Sequence, residues 1–217
     1  MVARASGWLL FVGIAAVAAC ADLISKHLVF ARLGMPRQQA AIEIVPGILA
    51  LETNLNEGAL FGLGQGMGVL FAAISVLAIL GILAMVARPG TRANASLIAA
   101  LGLITGGILG NLFDRLGLPG LVWHEPASRA GSPVVAVRDW IHFQLPGWID
   151  WPVFNLADSW LVIGAGLLLW ISLWTSQDAP LPASADGPPG ADPATGPPAN
   201  FSDASRGADS LSREPVR

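Results

Sequence analysis

Four apolar runs divide the chain, at about residues 7–28, 67–87, 95–113 and 153–174. Each is close to 20 residues long, which is what a helix rising about 1.5 Å per residue needs to cross roughly 30 Å of hydrocarbon. The pattern therefore predicts four membrane-spanning helices. Between the first two it changes. Ile42-Glu43-Ile44-Val45 alternates up to Pro46-Gly47, and Ile48 to Leu55 follows. Period-two patterning bounded by turn residues predicts two or three short strands, a small extracytoplasmic β-element between helices 1 and 2. Asn56-Glu57-Gly58-Ala59-Leu60-Phe61-Gly62 reads as a turn that re-enters the membrane. The second and third runs are joined by a short loop, Arg88 to Arg92. The third carries Gly102, Gly106, Gly107 and Gly110. Small residues at that spacing let helices approach closely, so this run is expected at the packing centre.

The third run ends in Asn111-Leu112-Phe113-Asp114-Arg115, and a stretch to Arg138 follows that holds Pro119, Gly120, Pro126, Gly131 and Pro133. It reads as an irregular, exposed loop. Trp140, Trp148 and Trp151 read as the aromatic belt of a membrane interface. Beyond the fourth run, Thr175 to Arg217 is rich in Pro, Gly, Ala, Ser and Asp. Such a segment buries too little apolar surface to offset its ordering entropy. The expected organisation is a membrane domain over 1–174 and a disordered tail over 175–217.

Composition sharpens this picture. The chain is 53% hydrophobic and 12% charged, with a mean hydropathy of +0.60, whereas soluble proteins carry about 25% charged residues. The fold class expected is mainly α, a polytopic membrane protein. A net charge of −3 without a basic run points away from nucleic acid as a partner. The single cysteine, Cys20, excludes an internal disulfide and a four-cysteine zinc site. His27, His124 and His142 are scattered without ligand spacing, so no metal site is assigned. Val17-Ala18-Ala19-Cys20 has the form of a lipoprotein cleavage site, but apolar residues continue past the cysteine and three further spans follow. Cys20 is read instead as a small residue facing lipid or a helix. Arg4, and Arg88 with Arg92, lie beside span ends with no acid near them, which assigns those ends to the cytoplasm. Both termini then lie inside, and the strand-rich segment lies outside.

Five polar groups fall at the outer ends of the spans. They are Asp22 with Lys26, Asn56, Asn111 with Asp114 and Arg115, Asp139, and Asn155 with Asp158. Asp22 and Lys26, four apart with the acid first, read as a helix-end ion pair that snorkels to the interface. Asp114-Arg115 reads as a clamp between helices, and Arg115 also suits a lipid phosphate. Asp139 and Asp158 are different, because a carboxylate at the mouth of a span is costly unless paired or wetted. Brought together, two carboxyls share one proton and supply an acid and a base in one site, enough for peptide hydrolysis without a metal or covalent nucleophile. Spacing alone leaves other roles open. Asp139 could be a plain loop residue, and Asp158 a helix N-terminal charge favoured by the macrodipole. The alternative function is a small four-span transporter or channel with Asp22, Asp114 and Asp158 as an ion relay, which would require acids at mid-membrane depth. An inactive lipoprotein-binding scaffold ranks last.

Taken in order, Asp22-x-x-Ser25-Lys26, Asn56-x-Gly58-Ala59-x-Phe61-Gly62, Gly106-Gly107-x-x-Gly110-Asn111-x-x-Asp114-Arg115, Asp139-Trp140-Ile141 and Phe154-Asn155-x-Ala157-Asp158-Ser159 resemble the motifs of the bacterial lipoprotein signal peptidases, signal peptidase II. The resemblance spans about residues 5 to 175. It implies an inner-membrane, multi-pass aspartic endopeptidase without a cofactor, acting on prolipoproteins whose cysteine carries diacylglycerol, within membrane lipid, and inhibited by the cyclic peptide globomycin. By motif position it implies Asp139 and Asp158 as the catalytic pair near the outer face. Asn56, Gly58, Asn111, Asp114, Arg115, Asn155 and Ala157 would bind substrate or support the pair, and Asp22 and Lys26 would be structural. The chain departs from the pattern in its long 116–138 segment, in Trp140 where phenylalanine is common, and in its tail.

Overall fold

The structure is a computed structural model and describes residues 2–58 and 64–175. Helix α1 (Val2–Leu33) is followed by strands β1 (Ile42–Val45) and β2 (Leu49–Asn56). Helices α2 (Gly68–Ala87), α3 (Pro89–Ala93) and α4 (Ala95–Arg115) come next. After a 3-10 turn at Ala127–Arg129 the chain makes β3 (Val137–Leu145), β4 (Ile149–Phe154) and α5 (Leu156–Thr175). Four helices among the described residues are long and apolar enough to cross a membrane. Of the tail expected over 175–217, Thr175 instead ends α5 and 176–217 lie outside the described residues, as do 59–63 of the expected re-entrant turn.

The distribution of side chains is that of a protein dissolved in lipid. Leu9, Val17, Val69, Leu77 and Val162 are exposed, while Asp22, Lys26, Asn111, Asp114, Arg138, Asp139 and Asn155 are buried. Hydrocarbon is as apolar as leucine, so helices there associate through close packing and polar contacts. Helix α4 lies between α1 and α5, as its glycines predict. A Cβ on Gly106 would stand 2.5 Å from the Ala18 Cβ and 2.8 Å from the Ala15 carbonyl oxygen of α1. On Gly107 it would stand 2.5 Å from the Ala157 carbonyl oxygen of α5. Gly106→Ala is therefore expected to destabilise the bundle by about 1–3 kcal/mol, the range for overpacking. Gly166, whose Cβ would meet nothing within 4 Å, is the matched control. Thermal unfolding of both alanine variants in detergent checks this.

At the end of the bundle away from the sheet, Phe11, Ile82, Val86, Ile98 and Leu101 form an apolar core. The expected Arg88–Arg92 loop is the short helix α3, with Pro89 at its first position, where a missing N–H costs nothing. Arg92 donates to the carbonyls of Val86, at 3.0 Å, and of Ala87, closing the end of α2.

The sheet corrects the sequence reading most. A β-element does lie between helices 1 and 2, but β1 and β2 are half of a four-stranded antiparallel sheet in the order β1-β2-β3-β4. The tryptophan-rich stretch forms the other half, and Val153 and Phe154 end β4 instead of starting the last span. Pro152 is tolerated because β4 is an edge strand. The 116–138 segment is also not exposed throughout: Val134, Ala136, Val137 and Arg138 are buried where it joins β3. The register places Asn54 opposite Asp139, Leu55 opposite Arg138 and Asn56 opposite Val137.

Candidate functional site

Two layers of polar residues occupy the end of the bundle that carries the sheet. The deeper layer is ionic. Lys26 Nζ lies 2.8 Å from Asp22 Oδ2 and 3.1 Å from Asp114 Oδ2. Asp114 also accepts from Arg138, through Nε at 2.9 Å and the backbone N–H at 3.0 Å, with Nη2 at 2.8 Å. Asp22 Oδ1 accepts from the Ala157 backbone N–H at 2.9 Å, tying the first helix to the last. Two acids and two bases make the layer neutral, which is the condition for burying charge in a membrane protein.

The sequence reading is corrected here in two respects. Asp22 and Lys26 do pair, but they do not snorkel, since both are 0% exposed. Asp114 and Arg115 do not act as one clamp. Successive residues on a helix diverge by about 100°, and Arg115 turns from the ionic layer to donate to the Gly58 carbonyl at 3.2 Å. Its guanidinium lies 5.4 Å from the centre of the Phe71 ring. Arg138 is a further site residue that the sequence does not single out. Its place next to Asp139 becomes informative only with β3 in hand, because neighbours on a strand face opposite sides.

Above this layer the hydrogen bonds have a forced direction. Lys26 can only donate, and it donates to Asn111 Oδ1 at 2.9 Å. The Asn111 amide group must then face the other way, and it donates to Asp158 Oδ1 at 2.9 Å. Asn155 Oδ1 accepts from the Asp158 backbone N–H at 3.0 Å, while Asp158 Oδ2 accepts from the Asn155 backbone N–H at 3.2 Å. This reciprocal pair is a capping box at the start of α5. It leaves the Asn155 amide group free to donate to Asp139 Oδ1 at 2.6 Å and to Asn111 Oδ1 at 3.2 Å. One asparagine thus holds both aspartates, by its side chain and by its backbone.

Asp139 and Asp158 line a cavity of about 710 Å³ together with Asn54, Asn56, Asn111 and Arg115. Ile108 of α4 and Leu161 and Val162 of α5 form an apolar wall. Asn56 Oδ1 accepts from the Gly58 N–H at 3.0 Å, turning the chain beside the cavity. Asp139 is 1% exposed. Burial, and then the Asp158 charge beside it, push its carboxyl up to about 7 against the opposing pull of the Asn155 hydrogen bond, Lys26 and the Asn56 hydrogen bond. The site therefore contains one acid raised toward neutrality and a second aspartate oriented by two N–H donors. Ala157 enters through its backbone and its small size: its N–H serves Asp22, and its carbonyl packs against Gly107.

Residues 14–174 match the family model described as Signal peptidase (SPase) II. The chain is 44% identical over 168 residues to a lipoprotein signal peptidase of Rhodopirellula baltica, covering 76% of this chain and 72% of that one. It is 33% identical over 162 residues to one from Symbiobacterium thermophilum, covering 74% and 91%. Among solved structures, the fold is similar to a bacterial membrane enzyme determined by the in meso method at 2.3 Å resolution, with a TM-score of 0.62 and 24% identity over 77% of this chain and 89% of that one.

Proposed function

The chain belongs to the signal peptidase II family, and on that premise we propose that it is an intramembrane aspartic endopeptidase. It removes signal peptides from diacylglyceryl-modified prolipoproteins, cutting on the N-terminal side of the lipidated cysteine. The observation that carries this reading is the Asn155 bridge, which joins two aspartates in one cavity, one of them a buried acid raised to about 7. Asp158 takes a proton from water, and the oxygen attacks the scissile carbonyl carbon. Asp139 gives its proton to the carbonyl oxygen, so a neutral gem-diol forms. Asp158 then passes its proton to the cysteine nitrogen as the C–N bond breaks. Asp139 recovers a proton from the collapsing diol, which restores the starting state.

Each supporting residue has a task in this scheme. Asn111 and Asn155 orient the pair, and Asn56, Gly58 and Arg115 offer polar groups to an extended substrate backbone. Asp22, Lys26, Asp114 and Arg138 form the ionic base beneath. The acyl chains stay in lipid against the apolar wall. The arginines near α2 and α3 support a topology with both termini in the cytoplasm and the cavity near the outer face of a bacterial inner membrane. The transporter reading is disfavoured because α2, α4 from Ala95 to Gly110, and α5 beyond Asp158 carry no ionisable side chain.

The test is cleavage of a diacylglyceryl-modified prolipoprotein by the purified protein in detergent, with product masses measured. A free α-amine on the lipidated cysteine is expected, insensitive to serine- and thiol-directed reagents and to chelators, and blocked by globomycin. Cleavage at another bond, or equal cleavage of unlipidated substrate, would overturn the reading.

A further inference from the structure

A second cavity, of about 330 Å³, lies across β2 from the aspartates and shares Asn54 and Leu55 with the first. Its other lining residues come from the segment after α1, including Arg37 and Gln38, and from Trp123, His124 and Glu125 of the long α4–β3 connection. None belongs to a membrane-spanning helix, whereas the first cavity is walled by α2, α4 and α5. A chain passing from the first cavity to the second therefore moves from membrane to water.

The connection is anchored at this place. Arg129 donates to Glu57, just past β2, through both terminal nitrogens, one at 3.1 Å. The same guanidinium stacks 4.1 Å from the Trp123 ring centre. One buried donor there lacks an acceptor among the described residues, the Trp123 indole N–H. The half-exposed Asn54 carboxamide lines both cavities and is open to a ligand. A buried donor without an acceptor is costly, so a ligand that brings carbonyl oxygens would bind with that cost relieved. Arg37, His124 and Glu125 all line the basin, so it offers no single sign of charge.

We propose that this basin is a subsite for the polypeptide that follows the lipidated cysteine, recognised through its main-chain carbonyls and tolerant of its side chains. The proposal rests on the peptidase reading above and adds a contact on the side of the substrate that leaves the membrane. Three lipidated substrates with the same signal segment test it. One ends as an amide on the cysteine, one continues for six residues, and one carries a polyether tail of equal length. In the wild-type protein kcat/KM is expected to be about five- to tenfold higher for the six-residue extension than for the other two, the worth of one or two hydrogen bonds, expressed in KM. Trp123→Phe keeps a ring beneath Arg129 but removes the N–H, and should lower the ratio of long to short substrate by about fivefold. An unchanged ratio in that variant, or equal rates for the peptide and polyether tails in the wild type, would overturn the proposal. Wild-type cleavage of the shortest substrate reports on the peptidase reading by itself, so the two fail separately.

Discussion

Asp139→Asn and Asp158→Asn are each expected to lower the cleavage rate by at least about 10³-fold, because each removes one partner of a general acid–base pair. The two should differ in stability. The Asp139 carboxyl is raised from 3.8 to about 7, so the folded protein binds its proton more tightly than the unfolded chain does. Its favourable contribution is present in full below about pH 4 and is lost as pH rises through about 7. A shift of that size corresponds to roughly 4 kcal/mol at most. Asp139→Asn, neutral at every pH, should therefore unfold at a higher temperature than wild type at pH 8 and show no such advantage at pH 4. Activity should fall above pH about 7 as the acid is lost. Cleavage by Asp139→Asn within tenfold of wild type would refute the assigned role, and equal stability at pH 8 would refute the buried acid.

Lys26→Met removes a cation 0% exposed that contacts two buried acids. Arg138 still compensates Asp114, but Asp22 keeps only the Ala157 N–H. Breaking a buried pair from one side costs about 3–5 kcal/mol, so a large fall in unfolding temperature is expected. Lys26→Met with Asp22→Asn restores neutrality and should recover much of that loss. Activity should not recover fully with it, because Asn111 Oδ1 has lost its shorter, charged donor and keeps only the Asn155 amide at 3.2 Å to hold its direction. A double variant regaining both stability and full activity would show that the direction of the Lys26–Asn111–Asp158 relay does not matter.

The four spans were legible because a lipid-facing helix must be apolar over its whole length, a signal that needs no knowledge of neighbours. The packing role of α4 was legible from its glycines for the same reason. Strands β3 and β4 were not, because Trp140, Trp148, Trp151 and Pro152 satisfy the pattern of a membrane interface as well as that of an edge hairpin. Asp139 and Asp158 stood out as acids with apolar flanks, but nothing in their spacing announces that Asn155 ties them together. The ionic layer was hidden by distance along the chain: Lys26 meets Asn111 across 85 residues. A local rule sees only the Asp22–Lys26 spacing and assigns it to the surface, where such pairs are common. Arg138 was obscured by its neighbour, since strand alternation matters only once the strand is known.

The bond between Ala157 and Asp22 joins residues 135 positions apart, and this bears on biogenesis. At ribosomal speeds of about 5–20 residues per second, the first helix waits on the order of ten seconds for its partner to be synthesised. On the proposed mechanism the pair is incomplete through that interval, because Asp158 arrives on the fourth of the described spans. On that mechanism a nascent chain stalled before this point lacks one of the two aspartates, and its competence to cleave waits on α5.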